Sequence, residues 1–180
     1  KFIHAEVFQY ITRPEDMKML GKAVGMFSVG LQDFDANQLV DTIPNFHNTQ
    51  HRYEKCLWSA IVGRKERIEK AIPYLEYIHD KRKIVSLIVD AMKMGQIPVR
   101  VTHNDTKLNN VLFDRITNQP RCMIDLDTVM KGSVLYDIAD AIRYGANTAS
   151  EEEKKLSRVD LDLNLLEQFL VRSEERRVGK

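Results

Sequence analysis

The sequence predicts a mainly helical α+β fold with a small β-hairpin region near its middle. Helical spacing recurs along most of the 180 residues. The clearest example gives a helix one apolar face through a 3-4-3-4 spacing: Met17, Leu20, Val24, Phe27 and Leu31. Short apolar runs separated by turn residues, between residues 100 and 126, favour strands instead. The length allows one domain or one lobe of a larger protein.

Local signals predict where the elements begin and end. Residues 1–11 alternate loosely and predict the end of a strand. Thr12-Arg-Pro-Glu15 predicts a helix start, with a Thr cap and Glu three residues later. Further helices are predicted over residues 53–72, 73–94, 134–144 and 159–171. Pro73 is assigned to a first helical turn and Gly95 to a helix end.

Turn and small residues complete the expected architecture. Asn118-Gln-Pro120 predicts the turn of a hairpin that joins residues 111–114 to residues 121–126. Gly21, Gly25 and Gly30 do not form a GxGxxG motif, and small residues four apart on a helix favour close packing over phosphate binding.

Composition excludes several classes of function. A net charge of +1 gives no electrostatic argument for nucleic acid or a membrane surface as partner. Cys56 and Cys122 are isolated, so they predict neither a disulfide framework nor a zinc site. No run of about 18 apolar residues is present. We therefore expect a cytoplasmic protein with a small-molecule substrate.

The strongest signal is a polar loop at the end of a predicted strand. Its spacing is H-x-D-x-K-x-x-N, formed by His103, Asp105, Lys107 and Asn110. In the catalytic loop of kinases this spacing gives an Asp that receives the acceptor's proton and an Asn that binds Mg²⁺. The spacing therefore predicts Asp105 as the group that orients the acceptor hydroxyl.

A second motif supplies carboxylates after the predicted hairpin. Asp125 lies where a second metal-binding carboxylate would be expected, and Asp127 follows two residues later. On an extended segment both side chains would leave the same face. Carboxylate and amide oxygens suit Mg²⁺. We therefore predict Asn110 and Asp125 as ligands for Mg²⁺ and its bound ATP, with Asp127 as a further metal ligand.

Other polar residues receive supporting roles. Lys107 would place a cation near the transferred phosphoryl group. His103 is expected to brace the loop. Asp137, in the first turn of a predicted helix, is expected to support the loop structurally. Arg143 is either a substrate contact or an exposed helix arginine.

The isolated loop motif has a simpler explanation, since such a spacing arises by chance and its residues could be turn formers that cap strands. The Ile-Asp-Leu-Asp sequence at residues 124–127 favours the catalytic interpretation. It ends a predicted strand at a hairpin-length distance from the loop.

These motifs resemble the aminoglycoside phosphotransferase and choline kinase-like superfamily. Thr-His-Asn-Asp-Thr-Lys-Leu-Asn-Asn-Val at 102–111, Ile-Asp-Leu-Asp-Thr-Val-Met at 124–130 and Leu-Tyr-Asp-Ile-Ala-Asp-Ala-Ile-Arg at 135–143 are similar to the N-acetylhexosamine 1-kinase group. Thr-Ile-Pro-Asn-Phe-His-Asn-Thr at 42–49 fits that group too. The resemblance implies transfer of the ATP γ-phosphate to the anomeric hydroxyl of N-acetylglucosamine or N-acetylgalactosamine, with Mg²⁺.

The resemblance also implies roles and a fold. Asp105 matches the family's catalytic base, Asn110 and Asp125 its metal ligands, and Asp137 the Asp of its Tyr-Asp motif. The family fold is bilobal, and the chain resembles its helical C-terminal lobe. Residues 1–171 are therefore expected to form that lobe, incomplete at both ends and inactive alone, with the N-terminal lobe missing. Residues 172–180 resemble a translated sequencing adapter and are interpreted as a non-native tail.

Three hypotheses remain open. The first is a sugar 1-kinase, and the second is a kinase for another small alcohol, such as an amino alcohol or an aminoglycoside. Balanced charge and a single Trp favour a neutral sugar over a cationic acceptor. The third is a non-catalytic helical interaction module with a remnant kinase loop. It is disfavoured because Asp105, Asn110 and Asp125 are all present.

Overall fold

The computed structural model describes the backbone of residues 3–174 and the side chains of residues 3–171. The chain divides into two compact units, Lys1–Thr42 with Arg100–Lys180, and Ile43–Val99. The helices of the described part are α1 (Pro14–Gly30), α2 (Thr49–Val62), α3 (Lys65–Asp80), α4 (Leu87–Lys93), α5 (Val134–Gly145) and α6 (Leu163–Glu174). Its strands are β1 (Arg100–Thr102), β2 (Val111–Phe113), β3 (Pro120–Met123) and β4 (Met130–Gly132). The predicted class, α+β and mainly helical, is confirmed.

The strands of the first unit form two small antiparallel sheets. β2 pairs with β3 as the predicted hairpin, and β1 pairs with β4. The hairpin turn contains Asn118 with a positive φ of 53°, a conformation that Asn tolerates better than most residues. Asp114 anchors this turn, since its carboxylate accepts the backbone N–H groups of Ile116 and Thr117 and pairs with Arg121.

The N-terminal segment contributes less strand than the sequence predicts. Glu6 forms an isolated antiparallel bridge with Phe113, and the backbone N–H and C=O groups of the two residues bond reciprocally at 2.9 and 2.8 Å. Among the described residues before α1, no longer strand is present. Residues 3–11 therefore extend the edge of the hairpin at one position.

The core of the first unit lies between α1, α5, α6 and the hairpin. Its fully buried apolar side chains come from these elements, from the loop before β2 and from the residue after α5: Met17, Leu20, Leu108, Val111, Phe113, Ala141, Ala146 and Phe169. Gly21 lets α1 approach α6 closely, because a Cβ there would lie 2.5 Å from the carbonyl oxygen of Phe169. The close-packing prediction is confirmed at Gly21, whereas a Cβ at Gly25 would meet nothing within 4 Å.

The start of α1 lies one residue later than the Thr12 cap predicted. Arg13 is the N-cap residue. The acidic residue whose side chain bonds back to the N-cap backbone is therefore Asp16 and not Glu15. The carboxylate of Asp16 accepts the backbone N–H groups of Thr12 and Arg13 and the Thr12 hydroxyl, at 2.9–3.0 Å. Burial opposes ionisation of Asp16, but these hydrogen bonds outweigh it and lower the pKa of Asp16.

The second unit divides the two predicted helices differently: α2 begins at Thr49, before the predicted residue 53, and the helix predicted over residues 73–94 is interrupted between Asp80 and Leu87. The helix predicted over residues 53–72 ends at Val62, and α3 starts at Lys65. Pro73 lies inside α3 instead of in a first turn. The break falls at Gly63. Glycine loses more conformational entropy in a helix than any other residue, and a Cβ at this position would lie 2.6 Å from the Ser59 carbonyl oxygen. Gly95, with φ of 71°, follows α4 as predicted for a helix end.

The C-terminal helix starts later than the predicted residue 159. A 3-10 turn spans Leu156–Arg158, Val159 is extended, and Leu161 forms an isolated bridge with Asn147. Asp162 then accepts the N–H groups of Asn164 and Leu165 and acts as an N-cap. Most of the predicted non-native tail, residues 175–180, lies outside the described residues. Within the described part, no helix has the length and apolar character needed to span a membrane.

Candidate functional site

The polar loop predicted from the sequence connects β1 to β2 in the first unit. His103 follows β1 directly and is fully buried. Its Nε2 donates to the backbone carbonyl of Ile124 at 2.9 Å, and its Nδ1 accepts the N–H of Asp105 at 3.3 Å. These two partners select the neutral tautomer protonated at Nε2. His103 thus links the loop to the residue that precedes Asp125.

Asp137, in the first turn of α5, holds the start of the loop. Its two carboxylate oxygens accept the backbone N–H groups of His103 and Asn104 at 2.9 and 2.7 Å. Burial raises the pKa of Asp137, and these two hydrogen bonds act in the opposite direction. Such N–H groups would otherwise be buried without partners. The contact geometry is that of the structural support predicted for Asp137.

The middle of the loop is held from the same helix. The hydroxyl of Thr106 donates to the backbone carbonyl of Asp137 at 2.6 Å. The N–H of Thr106 donates to Oδ2 of Asp140 at 2.8 Å. Because α5 contacts residues 103, 104 and 106, the loop backbone is fixed on both sides of Asp105.

The side chains of Lys107 and Asn110 both contact the carboxylate of Asp105. Nζ of Lys107 lies 3.2 Å from Oδ1 of Asp105, and the two side chains keep 28% and 29% exposure. Nδ2 of Asn110 donates to Oδ2 of Asp105 at 2.9 Å. Burial alone would lower the pKa of Lys107, but the hydrogen bond and charge of Asp105 raise it. The Asp105 carboxylate is therefore oriented from two sides and still accessible to an acceptor.

The hairpin brings Asp125 next to Asn110. The N–H of Ile124 donates to the backbone carbonyl of Asn110 at 2.9 Å, so Asp125 comes one residue after this contact. Asp125 is exposed and adopts a left-handed conformation, with φ of 63° and ψ of 61°. A non-glycine residue in this region is uncommon and often marks a functional site.

The prediction that Asp125 and Asp127 lie on one face of an extended segment is wrong. Asp125 is left-handed, and a 3-10 turn spans Leu126–Thr128, so the alternation of a strand does not apply. Asp127 is exposed in that turn, and its role as a metal ligand stays a prediction without this support.

The donor set fits Mg²⁺. Nδ2 of Asn110 is engaged by both the backbone carbonyl and the carboxylate of Asp105, each at 2.9 Å, which leaves its Oδ1 as the oxygen available to a cation. Asp125 adds an exposed carboxylate. Mg²⁺ is commonly held by one or two protein oxygens together with phosphates. Among the described residues, no cluster of three or more His, Cys, Asp and Glu side chains could hold a metal by itself.

Several residues of the site are not identified by any sequence motif. Asn104 is left-handed, with φ of 68°, and its Nδ2 donates to the backbone carbonyl of Thr128 at 2.8 Å. Thr128 in return donates its hydroxyl to the carbonyl of His103 at 2.7 Å. The repeated Asn and Thr residues around both motifs were a compositional signal, but spacing alone could not pair residue 104 with residue 128.

Arg143 belongs to an ion-pair network instead of standing alone on its helix. Its Nη2 lies 2.9 Å from Oδ1 of Asp140 and its Nη1 lies 2.6 Å from Oε1 of Glu151. The hydrogen bond to Glu151 raises the pKa of Arg143. No sequence pattern connects Arg143 to Glu151, which lies eight residues later in the chain.

Comparison with protein families agrees with the site geometry. The model of the phosphotransferase enzyme family (APH) matches residues 11–161, which include α1 to α5, the polar loop, the hairpin and Asp125. Enzymes of this family transfer phosphoryl groups to small molecules, with ATP as donor and typically with Mg²⁺. This chain therefore belongs to the APH phosphotransferase family.

Proposed function

We propose that this chain is part of an ATP-dependent kinase that phosphorylates the anomeric hydroxyl of an N-acetylhexosamine. The observation that carries the proposal is the convergence of Lys107 and Asn110 on the partly exposed carboxylate of Asp105. Residues 1–171 would correspond to the C-terminal lobe of a bilobal kinase, in the cytoplasm where ATP is available. Its partner would be a small-molecule sugar, and neither nucleic acid nor a membrane would be required.

Asp105 would act on the acceptor hydroxyl. A carboxylate held by two donors can accept the hydroxyl's hydrogen bond, keep its oxygen in line with the γ-phosphorus and take up its proton late in the transfer. Lys107, beside Asp105, would offset the negative charge around the transferred group. Positioning and charge stabilisation account for most of the catalysis in such reactions.

Asn110 and Asp125 would hold Mg²⁺ through the Asn110 Oδ1 and the Asp125 carboxylate. The bound ion would neutralise charge on the ATP phosphates and orient them. The chain's own contribution is to fix Asn110: its Nδ2 bonds to Asp105, and its carbonyl bonds to the hairpin at Ile124. One residue thus connects the acceptor carboxylate to the metal site.

The charges near the loop support a neutral acceptor. Cationic acceptors, such as amino alcohols and aminoglycosides, call for unpaired carboxylates. Here Asp105 is paired with Lys107, and Asp140 and Glu151 are paired with Arg143. The exposed carboxylates of Asp125 and Asp127 are assigned to the metal. A neutral sugar, which is recognised by hydrogen bonds, suits these surroundings better than a cationic acceptor does.

The test is a phosphoryl-transfer assay of the complete gene product that contains this chain. N-acetylglucosamine, N-acetylgalactosamine, choline, ethanolamine and an aminoglycoside are each offered with Mg-ATP. We expect turnover on the N-acetylhexosamines. Asp105→Asn should reduce kcat by about 10²-fold or more, with ATP binding retained. Asp33→Asn, at an exposed carboxylate in the loop after α1, is the matched control and should leave kcat unchanged.

Different outcomes separate the hypotheses. Turnover on choline or the aminoglycoside alone would replace the sugar with another alcohol while keeping the kinase. Equal transfer rates for wild type and Asp105→Asn would refute the assigned carboxylate. A wild type that binds Mg-ATP but transfers phosphate to none of the alcohols would favour the interaction module.

A further inference from the structure

Arg143, in the last turn of α5, bridges two carboxylates of the first unit. Its Nε and Nη2 donate to Oδ1 of Asp140 at 3.3 and 2.9 Å, and its Nη1 donates to Oε1 of Glu151 at 2.6 Å. Glu151 lies in the loop that the Asn147–Leu161 bridge closes. The planar guanidinium is suited to holding two acceptors at fixed positions.

The same network reaches the catalytic loop. Asp140 uses its other oxygen, Oδ2, to accept the N–H of Thr106 at 2.8 Å. Thr106 stands between Asp105 and Lys107 in the sequence. A continuous series of hydrogen bonds therefore runs from Glu151, through Arg143 and Asp140, to the backbone between the acceptor carboxylate and its lysine partner.

Charge balance gives Arg143 a second effect on the same residues. The side chain of Asp140 is only 16% exposed, so its negative charge is poorly screened. Burial opposes the charged form of Lys107, but the hydrogen bond and charge of Asp105 raise its pKa, with smaller contributions from the charges of Glu151 and Asp140. Arg143 pairs with both Asp140 and Glu151, so it balances these two carboxylates beside the ion pair of Lys107 and Asp105, where Nζ lies 3.2 Å from Oδ1.

We propose that Arg143 is a positioning residue for phosphoryl transfer. It holds Asp140 on the Thr106 amide and balances the neighbouring carboxylates, and it thereby fixes Asp105 and Lys107. It does this without contacting the acceptor. The inference rests on the proposed kinase function, but not on which alcohol is phosphorylated.

The test is Arg143→Ala in the complete gene product, assayed with the alcohol that gives the highest turnover. We expect kcat to fall roughly ten- to a hundredfold, as for a displaced catalytic group. The KM for Mg-ATP should change by less than about twofold, since binding contacts are kept. Hydrogen exchange of the Thr106 amide should accelerate, whereas the Phe113 amide, bonded to Glu6 at 2.8 Å, should exchange as in wild type.

Arg158→Ala is the matched control. Arg158 is an exposed arginine of the loop that also contains Glu151. Its guanidinium pairs with Glu153 of the same loop, at 3.4 Å. Its loss should leave kcat and the Thr106 exchange rate unchanged. A comparable fall in kcat for Arg158→Ala would assign the effect to the loop in general and overturn the proposal.

Other results are equally decisive. An unchanged kcat in Arg143→Ala would contradict the proposal. Equally accelerated hydrogen exchange of the Thr106 and Phe113 amides would show that Arg143 has only a structural role. If Arg143→Ala does not fold, Arg143→Lys takes its place. A lysine keeps the positive charge but lacks the planar guanidinium that bonds two acceptors. We therefore expect an intermediate loss of kcat together with faster exchange of the Thr106 amide. Wild-type values for both would contradict the proposal.

Failure of the sugar proposal is distinguishable from failure of this one. A wild type inactive on N-acetylhexosamines would leave the Thr106 exchange measurement intact, and the kinetic comparison would use another alcohol or transfer to water. Conversely, an active N-acetylhexosamine kinase whose kcat is insensitive to Arg143→Ala would overturn only the role of Arg143.

Discussion

Single side chains hold the backbone of the polar loop between β1 and β2. Asp137 accepts the N–H groups of His103 and Asn104, the second of which is left-handed with φ of 68°. A loop in this conformation lacks the repeating hydrogen bonds of a helix or strand. Its buried N–H groups therefore depend on side-chain acceptors.

Replacing Asp137 should destabilise the fold. Asp137→Ala would leave the N–H groups of His103 and Asn104 buried without acceptors, at a cost of roughly 1–3 kcal/mol for each. We expect the free energy of unfolding, measured by urea denaturation, to fall by about 2–5 kcal/mol. Asp127→Ala, at an exposed carboxylate, should change it by less than about 0.5 kcal/mol. A similar small change at both positions would show that water replaces the Asp137 acceptor.

At the scale of the elements, the close packing of α1 against α6 forms part of the core of the first unit. α1 contributes Met17 and Leu20 to this core, and α6 contributes Phe169. The contact depends on the absence of a side chain at Gly21, where the backbone of Phe169 comes closest. Two glycines of one helix thus have different environments, which allows a matched comparison.

Gly21→Ala and Gly25→Ala should change stability in opposite directions. In an open helical position, alanine is favoured over glycine by about 0.5–1 kcal/mol, so Gly25→Ala should raise the midpoint of thermal unfolding. At Gly21 the new Cβ would lie 2.5 Å from a backbone oxygen. Overpacking of this kind costs about 1–3 kcal/mol, which exceeds the helix gain. Stabilisation by both substitutions would mean that α6 can shift away from α1.

At the scale of the whole molecule, the two units differ in burial. The first unit contains every buried residue of the described chain, including the core and the loop. In Ile43–Val99 none of the described residues is buried, although α2, α3 and α4 are formed. Packing of an apolar face, more than intrinsic propensity, stabilises helices in proteins.

Hydrogen exchange should reveal this difference. Amides of α2 and α3 are expected to exchange faster than those of α1 and α5, because local opening costs less where few apolar side chains are buried. Exchange of peptides from the 180-residue chain, measured by mass spectrometry, would test this. Comparable protection in all four helices would show that the second unit is as stable as the first.

Much of the site could be predicted from sequence because its signals are local. The spacing from His103 to Asn110 is short, and the turn at residues 118–120 fixes the hairpin that brings Asp125 near it. Helix periodicity likewise predicted α1 and α5, because buried faces repeat with the helical period. Residue types and short spacings therefore determined the fold class and the candidate catalytic group.

Tertiary structure decided what spacing cannot encode. The acceptor of the Thr106 amide is Asp140, 34 residues later in the chain. The partner of Arg143 is Glu151, in a loop eight residues later. The residues of each pair meet only in the folded chain. The left-handed backbone of Asp125 also overrode the strand alternation expected for Asp127. Local sequence specifies periodicity and turns, whereas buried polar groups take whichever partners the packed elements bring within hydrogen-bonding distance.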